Sequence, residues 1–225
     1  MDFVRKVSTI IWKDLTSEFR TKETLSSMVI FSFLTVTIFS FAFDPTREMI
    51  KGVFPGIIWV AFVFAGILGL NRSFLSERAN DCIFGLMLCP TDRSAIYFGK
   101  MIGNFIFMSI VELISLPIFF VLFDFRMEGS ILYLISVILL ATIGFTAIGT
   151  FLAALSVNTR NSEILLPIIL FPLIIPVLIA AVQATSTILS GGLTAEWLPW
   201  LQIIVAFDII FLFIPALLFE YLLEV

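Results

Sequence analysis

Two carboxylic acids interrupt long apolar stretches of the sequence, Glu112 and Asp208. A charged group at the centre of a bilayer costs about 3 kcal/mol on insertion scales, so an acid in such a position is a functional candidate by default. The alternative is that each is protonated or is hydrogen-bonded to a neighbouring helix, and Ser109 and Ser115 lie near the level of Glu112. Neither acid has a recognisable base or nucleophile beside it, so we do not expect hydrolytic chemistry.

The chain contains no histidine. This excludes a Ser/His/Asp triad, a Cys/His pair, and a metal or haem held by histidine within this chain. No phosphate-binding loop of the Walker type occurs, so the chain does not bind ATP by that route. Cys82 and Cys89 are expected to be free thiols in a reducing compartment. We therefore predict that the chain is not itself an enzyme and binds no metal or cofactor of its own.

A further group of candidates lies on a short amphipathic stretch, residues 76–89. Ser76 can cap a helix, apolar residues then recur at roughly i, i+3, i+4 and i+7, and Pro90 ends the pattern. A helix of this length is too short to cross a bilayer, so its apolar face must lie on lipid, on the rest of the chain or on another protein. The candidate docking residues are Glu77, Arg78, Asp81, Ile83, Leu86 and Met87.

The elements that must hold these residues are membrane helices. The chain has 225 residues, of which 60% are hydrophobic and only 13% charged, whereas a soluble domain is nearer half apolar and a quarter charged. Six apolar stretches are each long enough to cross a bilayer, which takes about 20 residues. We place them at Leu25–Phe43, Val53–Leu70, Ala95–Phe123, Ile131–Val157, Ile164–Val182 and Leu201–Leu223. The sequence therefore predicts an all-α integral membrane protein with one transmembrane domain over residues 1–225.

The basic residues predict the orientation of this domain. Five lie in the N-terminal arm, four follow the second apolar stretch and one follows the fourth. The other side of the membrane would carry only three, Arg47, Lys51 and Arg126. Because loops rich in Lys and Arg stay in the cytoplasm, six spans place both termini on the cytoplasmic side.

Residues 1–22 are predicted to form a helix in the plane of the lipid headgroups. Apolar residues share one side, and basic residues recur at seven-residue steps on the other, where they would face anionic lipid. The junction between this helix and the first span holds a candidate polar hinge, although its side chains can instead extend to the headgroups. The hinge candidates are Arg20, Lys22 and Glu23.

The last two spans carry signals of irregular backbone. Three prolines crowd the fifth span, so we expect that helix to be kinked or partly unwound; they are Pro167, Pro172 and Pro176. Residues 185–200 are interpreted as an outer re-entrant or hairpin segment, with a tight turn at Gly191 and Gly192.

Three stretches of the sequence together resemble the CcmB family, the haem exporter protein B of cytochrome c maturation. They are WKDLTSEFRTKETLSSMVIFS (residues 12–32), PGIIWVAFVFAGILGLNRSFLSERANDCIFGLMLCPTDRSAIYFGK (residues 55–100) and ATIGFTAIGTFLAALSVNTRNSEILLPIILFPLIIPVLIAA (residues 141–181). The second and third stretches are specific, and the resemblance covers nearly the whole chain.

The resemblance implies an ABC-2 type permease subunit of the bacterial inner membrane, with six transmembrane helices, an N-terminal interfacial helix and a cytoplasmic coupling helix. In such permeases the coupling helix docks in a separate ATPase, and its place here is residues 76–89. The implied partners are a CcmA-like ATPase that binds ATP, a CcmC-like haem-handling protein, a CcmD-like small subunit and a CcmE-like chaperone downstream. Six spans make half a transporter, so a homodimer within membrane lipid is also implied, and no nucleic acid is expected.

Two roles are consistent with this resemblance. Haem is the substrate that passes through the complex, or ATP turnover releases the haem-loaded chaperone without haem crossing this subunit. With no histidine, the chain shows no dedicated haem ligand; methionine, tyrosine and cysteine can also ligate haem, but nothing in the sequence groups them on the outer face. Alternatives outside the family are a permease for a lipid-like or drug-like substrate and a non-transporting platform that remodels partner membrane proteins.

Overall fold

A computed structural model describes residues 3–42, 47–79, 93–156 and 162–222. Within these ranges the chain forms seven α-helices and no strand. They are α1 (Phe3–Thr21), α2 (Glu23–Ala42), α3 (Arg47–Ala79), α4 (Arg93–Leu122), α5 (Ile131–Ser156), α6 (Ser162–Leu189) and α7 (Thr194–Leu222). Six of them, α2 to α7, are long and apolar enough to cross a membrane. The prediction of an all-α membrane protein with six spans is confirmed.

Helix α5 lies at the centre of the bundle. It packs against α3, α4, α6 and α7, and most of its side chains are buried. Its many small residues allow this close packing, because a side chain added at Gly149 would overlap Leu70 of α3. Helices in lipid associate through such close contacts rather than through the hydrophobic effect.

Helix α1 packs along α4. It buries Val7 and Ile10, whereas Trp12 on another face is exposed. Gly99 of α4 makes the approach possible, since a side chain there would overlap Ile10. The first helix therefore rests on the third span, close to that span's own beginning.

At the end of the bundle away from α1, two connections between helices meet. Residues 185–200 form the end of α6, a short turn and the start of α7. Gly191 in this turn has a φ of 72°, a conformation that glycine adopts at little cost. The amide of Glu128, between α4 and α5, donates to the Leu189 carbonyl at 3.2 Å. The α4–α5 and α6–α7 pairs are thus tied together at this end.

Helix α6 is continuous through its three prolines, Pro167, Pro172 and Pro176. Of the two expectations for this span, partial unwinding is therefore wrong. A proline removes one backbone donor, and neighbouring helices and local adjustments can satisfy the freed carbonyl within a membrane bundle.

Candidate functional site

Buried polar side chains form a stripe along one side of α4. Lys100, Asn104, Glu112 and Ser115 are all buried, and their spacing of four, eight and three residues keeps them near one face of the helix. The neighbouring helix α5 presents three buried threonines at four-residue steps, Thr142, Thr146 and Thr150. Since buried polar groups need hydrogen-bond partners, these two sets indicate where the helices recognise each other.

Two hydrogen bonds connect α4 to α5. Asn104 Nδ2 donates to Thr150 Oγ1 at 3.0 Å, and Thr142 Oγ1 donates to Glu112 Oε1 at 2.6 Å. We call these four residues the α4–α5 polar seam. Glu112 lies eight residues after Asn104 on α4, and its partner Thr142 lies eight residues before Thr150 on α5. This matched spacing in opposite directions is what antiparallel helices require. The polar seam therefore sets the register between the third and fourth spans.

Glu112 is only 3% exposed and takes its hydrogen bond from another helix. Ser109 and Ser115, which the sequence offered as local partners, do not bond it: Ser115 pairs with Ser32 of α2 at 3.2 Å, and the Ser109 hydroxyl has no partner among the described residues. Glu112 Oε2 is likewise without a partner there. Sequence analysis missed Thr142, although the repeated threonines of α5 were a visible signal.

Asp208 lies on α7, which packs on a different side of α5. It is 5% exposed and sits against the backbone at Gly144, where an added side chain would overlap its Oδ1. No side-chain partner for it occurs among the described residues. Thr142 and Gly144 are two residues apart on α5, about 3 Å along the axis but roughly 200° around it. The structure therefore places Glu112 and Asp208 at a similar depth without bringing them together.

A charged junction lies at the beginning of α4. Lys100 Nζ is 3.0 Å from Asp14 Oδ2 of α1 and donates to the Ser73 carbonyl of α3 at 3.1 Å. The Lys100 side chain is only 2% exposed. Lys13 also approaches Asp14, at 3.2 Å, but 46% of its side chain is exposed. The sequence placed Lys100 only among the charges that set orientation, and its buried ion pair was not predicted.

The candidate hinge residues lie at the junction between α1 and α2. Lys22 separates the two helices and has a φ of 57°. Glu18, which is buried and was not predicted, accepts a hydrogen bond from the Leu25 amide at 2.8 Å and so caps α2. Glu23 reaches Arg72 of α3 at 3.7 Å in an exposed contact. Arg20 is exposed in the last turn of α1.

The predicted docking residues fall at the edge of the described chain. Glu77 and Arg78 belong to the last turn of α3. Ser76 lies in the same helix, so the expectation that it caps a new one is wrong: α3 continues past the apolar span to Ala79. Asp81, Ile83, Leu86 and Met87 lie outside the described residues, and their docking role stays a prediction.

A small cavity lies between α3, α4, α5 and α6 beside Thr142. Its volume is about 20 Å³ and its lining is mostly aromatic and aliphatic. Trp59, in its wall, donates to Thr185 Oγ1 at 3.0 Å. Such a volume holds about one water molecule, whereas ligand pockets usually measure at least about 300 Å³. The interior of a single copy is therefore tightly packed at this point.

Comparison with known proteins identifies the family. The family model described as CcmB protein matches residues 5–224. Heme exporter protein B of Pseudomonas aeruginosa is 26% identical over 188 residues, 84% of each chain. The proteins of that name from Rhodobacter capsulatus and Escherichia coli are 29% identical over 149 residues (66% of this chain and 68% of the relative) and 28% identical over 172 residues (76% and 77%). Because the family match spans all six membrane-length helices, this chain belongs to the CcmB family.

Proposed function

We propose that this chain is the membrane permease subunit of an ABC transporter complex for cytochrome c maturation. It couples ATP hydrolysis by a partner ATPase to haem export or to release of a haem-loaded chaperone. The family match over residues 5–224 carries this proposal. The relatives are named heme exporter protein B, which supports haem as the substrate. This chain has no histidine to hold haem, which favours haem as cargo over haem as a resident cofactor.

The proposal includes a specific assembly. Two copies of this chain lie in the bacterial inner membrane with their termini in the cytoplasm, and a CcmA-like ATPase binds ATP beneath them. A CcmC-like haem-handling protein and a CcmD-like small subunit are further partners, and a CcmE-like chaperone acts downstream. Helix α1 lies along the cytoplasmic headgroups, supported by its exposed Trp12 and its basic residues.

Residues 76–89 form the contact with the ATPase in this assembly. Ile83, Leu86 and Met87 face the ATPase, and Glu77, Arg78 and Asp81 lie at the rim, because interfaces bury an apolar centre and leave charges at the edge. Leu86→Ala combined with Ile83→Ala should detach or uncouple the ATPase. Arg78→Ala is the matched control and should retain the ATPase on co-purification. Full coupling in the double variant would contradict this assignment.

The proposed function is tested by reconstituting this chain with its ATPase in vesicles and following haem on both sides. We expect haem to move only with ATP, and not with an ATPase variant that cannot hydrolyse it. ATP-dependent transport of a lipid or drug, with haem left in place, would show that the chain is a permease for a different substrate.

The orientation in the membrane is tested separately, by labelling Ser17→Cys and Ser190→Cys in intact cells. Both positions are exposed, and only Ser190→Cys should react with a reagent added from outside.

The small cavity beside Thr142 favours a second candidate function. It measures about 20 Å³ and does not admit haem, so the structure presents no haem route at that place. The alternative is a membrane platform on which ATP turnover remodels partner proteins. In vesicles that also contain the CcmC-like protein with its haem-loaded chaperone, ATP-dependent release of the chaperone without any haem crossing would establish this second role.

A further inference from the structure

Lys100 lies where three helices meet at the end of the bundle that carries α1. Its ammonium group pairs with Asp14 of α1 at 3.0 Å and donates to the Ser73 carbonyl of α3 at 3.1 Å, while Lys100 itself belongs to α4. Almost none of the Lys100 side chain is exposed. A charge withdrawn from water needs close partners, because its hydration must be replaced. One buried charge therefore joins three helices at one point.

The three residues that meet at Lys100 come from distant parts of the chain. Ser73 lies six residues before the end of α3, and Lys100 lies seven residues after the start of α4. They therefore stand on the two sides of residues 80–92 in the sequence. Helix α1 is far from that segment in the sequence, yet its Asp14 carboxylate contacts the ammonium group that also holds Ser73.

Apolar packing beside the ion pair also holds α1 against α4. Ile10 of α1 fills the space left by Gly99, directly beside Lys100 in the sequence. At its other end α1 is bound to α2, because the Glu18 carboxylate accepts from the Leu25 amide at 2.8 Å. Contacts therefore run from α4 near Lys100 to α1, and from α1 to the first span.

We propose that Lys100 is a positioning residue that makes α1 move together with α3 and α4, so that α1 responds to the nucleotide state of the ATPase. This inference rests on the proposed function, which places the ATPase at residues 76–89. The buried pair suits the role because parting Lys100 from Asp14 would separate two opposite charges that are largely withdrawn from water, at 2% and 14% exposure. The three helices therefore shift as a unit rather than separately.

Hydrogen exchange of the complete complex in nanodiscs, with and without a non-hydrolysable ATP analogue, tests this. In the native protein the analogue should change the exchange of residues 3–21 by about threefold or more, a change expected when a helix alters its packing. In Lys100→Met this response should be lost while the ATPase stays bound. Lys13→Met is the matched control, since Lys13 approaches the same carboxylate at 3.2 Å from a half-exposed position, and it should keep the response.

Two further variants separate positioning from mere stabilisation. Lys100→Arg retains a charged donor and should retain the response. Asp14→Asn with Lys100→Met removes both charges of the buried pair, so it should fold and bind the ATPase but lack the response. This double variant provides the test if Lys100→Met alone does not accumulate. A full α1 response in Lys100→Met or in the double variant overturns the proposal, as does equal loss in Lys13→Met.

The outcomes also distinguish this inference from the proposed function. If the native chain does not bind an ATPase, the proposed function fails, and the inference fails with it. If the ATPase binds and ATP-dependent transport occurs, but α1 shows no response to the analogue, only the role of Lys100 is wrong.

Discussion

Glu112 and Asp208 lie at a similar depth beside α5, but different interactions hold their surroundings together. On the α4 side, Glu112 receives a hydrogen bond from Thr142 at 2.6 Å within a seam that also pairs Asn104 with Thr150. On the α7 side, Asp208 rests on Gly144 without a side-chain partner among the described residues. The Glu112 contact is a directional hydrogen bond, whereas the Asp208 contact depends on the close approach of α7 to α5 at Gly144. Two buried carboxylic acids in similar apolar surroundings should therefore respond differently to substitution.

The largest effect is expected at the glycine on the α7 side. Gly144→Leu would overlap Asp208 and Phe207, and forcing this much volume into a packed contact should cost about 3 kcal/mol. The measurement is the fraction of monodisperse protein that survives heating in detergent. Gly56→Leu on α3 is the control, because nothing lies within 4 Å of a Cβ atom added there. Equal losses in both variants would mean that α5 and α7 do not approach closely at Gly144.

The next effect is expected on the α4 side. Glu112→Ala leaves the Thr142 hydroxyl without its acceptor in a buried site, which should cost about 1–3 kcal/mol of stability. Glu112→Gln keeps an acceptor at the same place and should cost less. Chemical unfolding in mixed micelles compares the two variants. A larger loss in Glu112→Gln than in Glu112→Ala would contradict the hydrogen bond.

A smaller coupling is expected at the other pair of the polar seam. Asn104→Ala and Thr150→Val, made singly and together, should show an interaction energy of about 0.6 kcal/mol, the mean for hydrogen bonds between membrane helices. The same double-mutant cycle between Asn104 and the distant Thr185, which instead bonds Trp59, should give a value near zero. Simple additivity in the Asn104–Thr150 cycle would show that this contact does not help to set the register.

The smallest effect is expected for Asp208→Asn. No side-chain hydrogen bond is lost among the described residues and the volume is unchanged, so stability should alter by no more than about 0.5 kcal/mol. The variant is compared with Glu112→Ala in the same unfolding assay. A loss as large as that of Glu112→Ala would reveal a partner for Asp208 beyond the described residues. Unchanged stability with lost haem movement would assign Asp208 a functional rather than a structural role.

The sequence pointed to both acids but not to what surrounds them. Glu112 and Asp208 were identifiable because a carboxylate within an apolar run is conspicuous. A hydrogen bond to a neighbouring helix was one of the expectations for Glu112, and it is confirmed: the donor is Thr142, thirty residues away, whereas the local candidates Ser109 and Ser115 do not bond it. The Asn104–Thr150 pair, separated by 46 residues, was missed altogether. Each partner depends on how one helix is rotated and shifted against another, and neither quantity follows from the periodicity of a single segment.

Expectations for the backbone were also correct where local sequence decides the conformation and incorrect where tertiary packing does. A turn at Gly191 was predictable because glycine tolerates positive φ. Partial unwinding of α6 at its prolines was wrong, since local propensity did not account for the neighbouring helices that stabilise a continuous span. Lys22 was a hinge candidate, and that role stays a prediction; the cap at this junction comes from Glu18, whose burial is a tertiary property.

By itself, the sequence determined that this protein is a bundle of six membrane helices of the CcmB family. Apolar length is a property of each segment alone, and the family likeness extends along nearly the whole chain. Only the tertiary structure decided that Thr142 satisfies Glu112, that Gly144 accommodates Asp208, and that Lys100 joins α1 to α3 and α4. In an almost uniformly apolar chain, the few polar contacts are selected by helix rotation and register, because burial leaves a polar group no alternative partner in water.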